Sequence, residues 1–287
     1  MNRQILLLLA CIPLPAAEHP VDPTFLRRSI SGVAEKTMDV SSPTCHYKPL
    51  FGAGDSQGNA LKGIARFGEI TVDPGGASKS VAYPREEQAY FVEEGAGDLQ
   101  FGDGKYPLRR NDFLYLPAGI GHGLSNAGRA PLRVIVMGFK LAGAPAGDSL
   151  SKPQIANTDD VKKQVVGNHP PSTLYQLMIG DVHSTRDKIA AAHVLTSLFI
   201  MEITPGGTNL PHHHEREEEI YLLLDGSGDM VAGGGMDGVE GRHPAKPGDA
   251  YFIRLNATVG FYNSDAAGAK TARILAVRSL FPFPGKN

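Results

Sequence analysis

An internal repeat constrains this chain more than any other feature, because it sets the domain count before any residue is given a role. Segment 74–99 resembles segment 205–230 at a constant spacing, and the match resumes between 112–126 and 249–263. The second copy carries a short insertion in the glycine-rich tract 233–238, as expected for a lengthened hairpin loop. With 287 residues, the chain has room for two ordinary domains. Two similar domains in tandem are therefore predicted.

The residue pattern within the repeat is typical of strands. Four runs are rich in apolar and β-branched residues and are bounded by Gly, Pro or Asp: 132–137, 195–203, 220–224 and 272–277. Helical turns are predicted only at 161–166 and 186–192. The 34 glycines and 21 prolines favour many short strands joined by turns. The predicted fold class is all-β, with two antiparallel barrels.

Changes in composition suggest the domain boundaries. We expect a signal peptide at 1–17, an N-terminal arm at 18–44, a first barrel at 45–142, a linker at 143–169 and a second barrel at 170–283. The predicted linker begins in a tract rich in Gly, Ala and Pro and ends beside consecutive prolines. Both compositions interrupt regular structure.

The first residues have the pattern of a targeting segment. Arg3 gives a positive start, 5–12 form a short apolar run, and 15–17 offer small residues for cleavage. The sequence thus predicts export to the periplasm or outside the cell, with the mature chain starting near Glu18. A lipoprotein is the alternative, since residues 8–11 resemble a lipobox ending in Cys11, but the apolar run before it is short. A buried N-terminal strand or helix is a third reading.

Charge and cysteine content exclude several classes of partner and bond. A formal net charge of −2 provides no basic surface for phosphate backbones, so nucleic acid is not an expected partner. No other stretch approaches the roughly 20 apolar residues of a transmembrane helix. After cleavage Cys45 is the sole cysteine, which rules out an internal disulfide and favours a buried apolar role.

A metal site is predicted from a cluster of three histidines. His212 and His214 are two residues apart, so on a strand their side chains share one face while His213 points the other way. A turn near 215–217 would bring Glu219 opposite the two imidazoles. Two imidazoles and a carboxylate suit one divalent transition metal, with Fe, Mn, Ni and Zn all open. The remaining glutamates of this run, including Glu218, are expected in a solvated turn that could attract cations.

These residues resemble the cupin superfamily. Its first motif is matched at five positions: Gly206, His212, His214, Glu219 and Gly226. Its second motif is met only in part, at Pro247, Gly248, Asp249 and Asn263. Val259 stands where that motif has a histidine, and Arg254 replaces the usual proline. The resemblance implies a metal site in the second barrel with an open fourth position. The alternatives are that His243 or Asn256 supplies a fourth ligand, or that the site has decayed and binds no metal.

The first barrel shows the complementary defect. It keeps the second motif, in Asp112, Pro117, Gly119, His122 and Asn126, but loses the first, since Val81, Tyr83 and Gln88 occupy the ligand positions. The resemblance covers about 65–140 and 198–279 and implies two jelly-roll barrels with one metal site. His122 is expected to be an interior, hydrogen-bonded histidine.

The resemblance leaves the reaction open, because cupins include dioxygenases, decarboxylases, isomerases, lyases and sugar-binding proteins. A metal-dependent enzyme acting on a small organic substrate is the leading hypothesis, with a dioxygenase narrowly favoured, and no catalytic residue is assigned. A non-catalytic small-molecule or sugar-binding protein is the alternative. Tyr251, Arg254 and Tyr262 are expected to bind substrate at the barrel mouth, with ordinary strand packing as the competing interpretation. A homodimer remains open.

Overall fold

The computed structural model describes residues 23–143, 152–234 and 240–282. The predicted signal peptide and Cys11 lie outside these ranges. Among the described residues, no helix combines the length and apolar character needed to cross a membrane. The helical content of the same residues consists of three single 3₁₀ turns, at Ile30–Gly32, Gly58–Ala60 and Thr158–Asp160.

The described part of the first half of the chain contains nine strands. They are β1 (Phe25–Ser29), β2 (Cys45–Gly52), β3 (Ile64–Val72), β4 (Glu86–Glu94), β5 (Ala96–Phe101), β6 (Gly104–Arg109), β7 (Asp112–Leu116), β8 (His122–Ser125) and β9 (Leu132–Lys140). The second half contains β10 (Gln154–Asn157), β11 (Thr173–Asp181), β12 (Ile189–Ala192), β13 (Leu195–Ile203), β14 (Glu217–Asp225), β15 (Gly228–Gly233), β16 (Glu240–Ala245), β17 (Asp249–Ile253), β18 (Thr258–Asn263) and β19 (Ala272–Leu280).

Each half forms a jelly-roll barrel from one large and one small sheet, so the predicted all-β class is confirmed. In the first barrel, a six-stranded sheet of order β10-β7-β4-β9-β3-β2 accompanies the small sheet β6-β5-β8. In the second, a seven-stranded sheet of order β1-β17-β14-β19-β13-β11-β12 accompanies β16-β15-β18. Neighbouring strands are antiparallel except for the parallel pair β11 and β12.

The two large sheets pack against each other, so both of their faces are buried. Along β4, Tyr90 faces the interior of the first barrel while Phe91 faces the interface between barrels. Across that interface the rings of Phe51 and Phe252 lie 6.3 Å apart. Strands buried on both faces need apolar side chains in both directions, which explains the continuous apolar runs of the sequence.

The barrels exchange strands. β1 lies in the predicted arm, yet it pairs with β17 of the second barrel, placing Phe25 opposite Ile253. β10 lies in the predicted linker, yet it pairs with β7 of the first barrel, placing Gln154 opposite Tyr115. Both strands are short and carry polar residues, so their sequences give little sign of sheet pairing.

The structure tests three local expectations: the helical turns, the exposure of Glu218 and the burial of Cys45. The predicted helical turns were wrong: residues 161–166 contain no helix, and 189–192 form strand β12. Tertiary backbone pairing overrides weak helix propensity there. The expectation that Glu218 lies in a solvated turn was also wrong, because this residue is fully buried at the interface between the barrels. Cys45 is buried as expected, and burial raises the pKa of its thiol to about 11.

Candidate metal centre

Two strands and the segment before β14 bring together the three predicted ligands. Glu219 lies on β14 and, like Tyr221 two residues later, points into the second barrel. His212 is fixed by a backbone pair with Val259 of β18, with N–H···O distances of 2.9 and 2.8 Å. The carbonyl oxygen of His214 accepts a 2.9 Å hydrogen bond from the N–H of Asn256. The histidine segment is therefore held by backbone contacts on both sides of His213.

The three side chains converge on one point. One potential ligand atom each from His212, His214 and Glu219 lies within 4.8 Å of the others. His214 Nε2 and Glu219 Oε2 are 3.2 Å apart. His213 points outward, with 57% of its side chain exposed. The alternation predicted from strand geometry is thus confirmed.

Hydrogen bonding leaves these atoms free to act as ligands. His212 Nδ1 lies 2.9 Å from the carbonyl oxygen of Leu210, which can only accept, so Nδ1 carries the proton and the Nε2 lone pair remains available. Apart from their mutual contact, the buried atoms His214 Nε2 and Glu219 Oε2 have no hydrogen-bond partner among the described residues. Buried polar atoms are normally paired, so this trio fits a cation.

Burial and charge shift the pKa values of the three groups. Burial is the main cause that lowers the pKa of His212. For His214, burial acts in the same direction, but the Glu219 carboxylate outweighs it and raises the pKa. Burial alone would raise the pKa of Glu219, and the adjacent His214 outweighs it and lowers the pKa. The carboxylate is therefore ionised at neutral pH, as a metal ligand must be.

A cavity of about 80 Å³ opens in front of the three groups. Its apolar and aromatic wall consists of Val166, Tyr175, Leu177, Phe199 and Tyr221. Its other polar groups are His169, Arg186 and Arg278. An apolar and aromatic lining with a few convergent polar groups is typical of a site for a small molecule.

Comparison with known families identifies this architecture. The cupin domain family matches residues 68–138 and 199–278, which is more than half of the chain. This chain belongs to the cupin family. An uncharacterized protein of Methanocaldococcus jannaschii is 24% identical over 82 residues, covering 28% of this chain and 66% of that protein. The chain thus spans just under two thirds of that relative.

Solved structures share the fold of this cupin over nearly its whole length. Oxalate decarboxylase of Lactobacillus farciminis, in a formate complex, has a TM-score of 0.65 at 14% identity, covering 89% of this chain and 86% of that one. A putative glyoxylate-induced protein of Pseudomonas aeruginosa has a TM-score of 0.70 at 16% identity, covering 95% and 97%. Protein Ylba of E. coli has a TM-score of 0.68 at 13% identity, covering 95% of this chain and 97% of that one. At these identities the likeness shows the fold alone.

The three residues expected to bind substrate do not line this cavity, so their role as substrate ligands stays a prediction. Tyr251 is fully buried beside β1, with the guanidinium of Arg27 5.4 Å from its ring centre. The N–H of Arg254 donates to Thr24 of the arm at 2.8 Å. Tyr262 faces an outer groove, where Arg242 stacks 3.9 Å from its ring. The exchanged strand β1 covers this side, a feature that the sequence did not predict.

Sequence reasoning missed three polar residues of the cavity. His169 lies in a predicted chain break, and its ring centre is 5.2 Å from that of His212. Arg186 lies in a predicted helical turn, and Arg278 ends an apolar strand. Only Arg278 offered a signal, since arginine is unusual in a strand buried on both faces. The alternative ligands His243 and Asn256 do not line the cavity.

The first barrel of this cupin fills the equivalent place with its own side chains. Tyr83 occupies the position of His214, and its hydroxyl accepts a 2.9 Å hydrogen bond from Arg66. The Gln88 amide donates to Glu86 at 2.9 Å. His122 is interior as expected, with Nε2 3.0 Å from the Tyr90 hydroxyl and Nδ1 2.9 Å from the Ile120 carbonyl.

Proposed function

We propose that this cupin is a metal-dependent enzyme acting on a small organic substrate, with one divalent metal held by His212, His214 and Glu219. The observation that carries the proposal is the convergence of three ligand atoms, two of them buried and otherwise unpaired, on one cavity. A divalent metal held there would polarise a bound oxygen atom or activate water. The resident groups would position it: the carbonyl of Leu210 fixes the His212 tautomer, and apolar and aromatic side chains line the cavity beside the ligands.

Within this proposal, an oxidation using dioxygen is favoured over decarboxylation, isomerisation or elimination. Three protein ligands arranged as two histidines and one carboxylate leave coordination positions for both substrate and dioxygen. Val259, at the position where the family motif has a histidine, is buried and has no lone pair to offer. His169 and Arg278 supply the polar contacts that would orient a substrate in the cavity.

The proposal is tested with full-length protein purified without a histidine tag. Metal content is measured first, and the protein is then stripped with a chelator and reloaded separately with Fe(II), Mn(II), Ni(II) and Zn(II). Oxygen uptake and product formation are screened against small organic acids, sugars and phenols. We expect turnover that requires metal and is lost in Glu219→Ala, whereas Glu215→Ala, at a side chain that is 81% exposed, keeps it.

The outcomes separate an enzyme from a binding protein. Metal-dependent turnover without oxygen uptake would retain the enzyme and reject the oxygenase. Thermal stabilisation by a ligand with no turnover under any metal would instead assign a non-catalytic small-molecule or sugar-binding role. Failure of the wild-type protein to take up any of the four metals would overturn the proposal.

A further inference from the structure

Both barrels place one arginine at the same point of the fold, but from opposite strands. In the first barrel Arg66 of β3 pairs across the sheet with Gly138 of β9. In the second barrel the equivalent pair is reversed, with Ser197 of β13 opposite Arg278 of β19. A Cβ built on Gly138 would lie 2.6 Å from Gln88 Nε2 and 2.8 Å from Arg66 Cγ, so Arg66 fills the space that a side chain at position 138 would need. The hydrogen-bond partners of these two guanidinium groups can therefore be compared directly.

The guanidinium of the first barrel is fully occupied by resident groups. Arg66 Nε donates to Glu86 at 3.1 Å, and Nη1 donates to both carboxylate oxygens of Asp39 at 3.2 and 3.1 Å. Nη1 also reaches the hydroxyl of Tyr83. Arg66 is only 8% exposed, so these contacts satisfy a buried cation.

The guanidinium of the second barrel has fewer partners. Arg278 Nη1 lies 3.3 Å from Glu217, which is the repeat equivalent of Glu86. Its Nε is buried and has no hydrogen-bond partner among the described residues. Arg278 lines the cavity beside Glu219, and the two residues are paired across β14 and β19. What the second barrel lacks is a counterpart of Asp39.

The segments before the two barrels show why that carboxylate is absent. Lys36 N–H donates to Tyr47 at 2.8 Å, and Gln164 N–H donates to Tyr175 at 2.9 Å. The turns that follow are closed by equivalent hydrogen bonds, from the N–H of Ser41 to Met38 and from that of His169 to Val166. In this alignment Gly167 stands at the place of Asp39.

We propose that a small carboxylate ligand binds the Arg278 guanidinium and takes the position that the Asp39 carboxylate holds on Arg66. In that case the contacts of Arg66 in the first barrel show how Arg278 would be engaged when the second barrel binds its ligand. A Cβ built on Gly167 meets no atom within 4 Å, so the space next to the turn is open. A cavity of about 80 Å³ admits a carboxylate and a few further atoms beside the metal ligands. This inference rests on the proposed function and names its substrate class.

Acetate, with acetamide as an uncharged analogue of the same shape, tests the proposal. The full chain is stripped of metal, and the buried Nε–H resonance of Arg278 is followed by NMR during titration with each compound. Acetate should shift this resonance with a dissociation constant of about 1–10 mM, because arginine and carboxylate form paired charge-assisted hydrogen bonds. Acetamide should leave it unchanged. An equal response to both compounds, or none to acetate, would contradict the proposal.

Substitutions locate the contact. Arg278→Gln should weaken acetate binding at least about tenfold. The matched control is Arg216→Gln, which removes an exposed arginine next to the site and should bind acetate like the wild type. A near-ultraviolet circular dichroism spectrum checks that Arg278→Gln keeps its tertiary packing. If it stays folded and binds acetate normally, the carboxylate lies elsewhere.

A pair of substitutions at Gly167 tests the equivalence with Asp39 directly. Gly167 has a φ of 59°, a left-handed conformation that Asp and Asn both visit, so Gly167→Asp and Gly167→Asn are matched in size and differ chiefly in charge. The aspartate should occupy Arg278 and weaken acetate binding several-fold relative to the asparagine. Identical binding by the two variants would refute the equivalence.

Metal measurements keep this inference separate from the proposed function. Acetate binding to metal-free protein depends on Arg278 and not on any ion. A wild type that binds acetate through Arg278 but takes up no metal would refute the metal-dependent enzyme and leave the carboxylate site standing. A wild type that binds metal but not acetate would do the reverse.

Discussion

Glu87 and Glu218 occupy equivalent positions of the repeat, and each binds the backbone of the opposite barrel. Glu218 accepts hydrogen bonds from the N–H groups of residues 62–64, at 2.8 Å from the first two and 3.4 Å from the third. Glu87 accepts from residues 193–195, at 2.8, 2.8 and 2.7 Å. Each carboxylate thus satisfies donors that the interface would otherwise leave unpaired.

We expect Glu218→Gln and Glu87→Gln each to lower the free energy of unfolding by about 1–3 kcal/mol, because an amide offers one acceptor oxygen and no charge to several N–H groups. Urea unfolding of both variants measures the effect. Glu240→Gln, at an exposed side chain, is the control and should stay within about 0.5 kcal/mol of the wild type. Losses as small as the control's would show that the carboxylates do not hold the interface.

Metal stoichiometry should be about one ion per chain and should depend on the second barrel alone. His212→Ala, His214→Ala and Glu219→Ala are each expected to lose the metal, since each removes one of three ligands. His122→Ala should keep it, because that imidazole is engaged by Tyr90 and Ile120. Elemental analysis gives the answer. Full metal content in all three ligand variants would refute the assignment.

A fourth ligand should tighten metal binding. Val259 faces the interior at the position where the family motif has a histidine, and its backbone pairs with His212. Val259→His is therefore expected to raise metal affinity about tenfold or more and to lower any activity that needs the open position. Competition with a chelator measures the affinity, and Val259→Leu controls for side-chain size. Unchanged affinity with a folded protein would show that position 259 does not face the metal.

The stability of the fold should depend on one buried carboxyl group of the first barrel. Glu93, Glu69 and Glu94 surround the single guanidinium of Arg133, at 3.1, 2.5 and 3.1 Å. Burial, opposed by Arg133 and assisted by Glu69, raises the pKa of Glu93 from 4.5 to about 7. The folded protein therefore binds this proton more tightly than the unfolded chain does.

The sign of the pH dependence follows from that shift. The contribution of Glu93 is complete below pH 4.5 and is lost as the pH rises towards about 7. We expect Glu93→Gln to remove about 1–3 kcal/mol of this decline in the free energy of unfolding. Glu94→Gln, whose side chain is 63% exposed, should keep it. Denaturant unfolding at several pH values between 4.5 and 7.5 tests this. If the free energy of unfolding of Glu93→Gln falls with pH in parallel with that of the wild type, the prediction is contradicted.

Export is predicted from the charged start, apolar run and small residues of segment 1–17. Protein recovered from a periplasmic or secreted fraction should begin near Glu18. Intact-mass analysis of that material decides the matter. A chain that retains Met1 would rule out cleavage, and a lipid-modified Cys11 would favour the lipoprotein instead.

The features predicted correctly from the sequence are those that depend on residues close together in the chain. The apolar runs at 132–137 and 195–203 became β9 and β13, and the spacing of His212 and His214 placed both imidazoles on one side. The sequence could not predict contacts between segments far apart in the chain. The burial of Glu218 depends on N–H groups of the other barrel.

The cavity wall was missed for the same reason. His169 and Arg278 reach the cavity from the chain before β11 and from β19, which are far apart in sequence. Tyr251 was expected at the barrel mouth and segment 18–44 was predicted to be an arm, but β1 of that segment pairs with β17 and covers this side.

The exchange of β1 and β10 also determines where this gene can be divided. A fragment that starts at residue 170 encodes a second barrel without β1, so the outer edge of β17 is left unpaired. A fragment that ends at residue 142 leaves the edge of β7 unpaired in the same way. Unpaired edges recruit strands from other molecules, so each fragment would aggregate or pair with its missing half. A second fragment that instead starts at residue 152 keeps β10, and produced together with the fragment that ends at residue 142 it should reassemble, as the subunits of a strand-swapped dimer do.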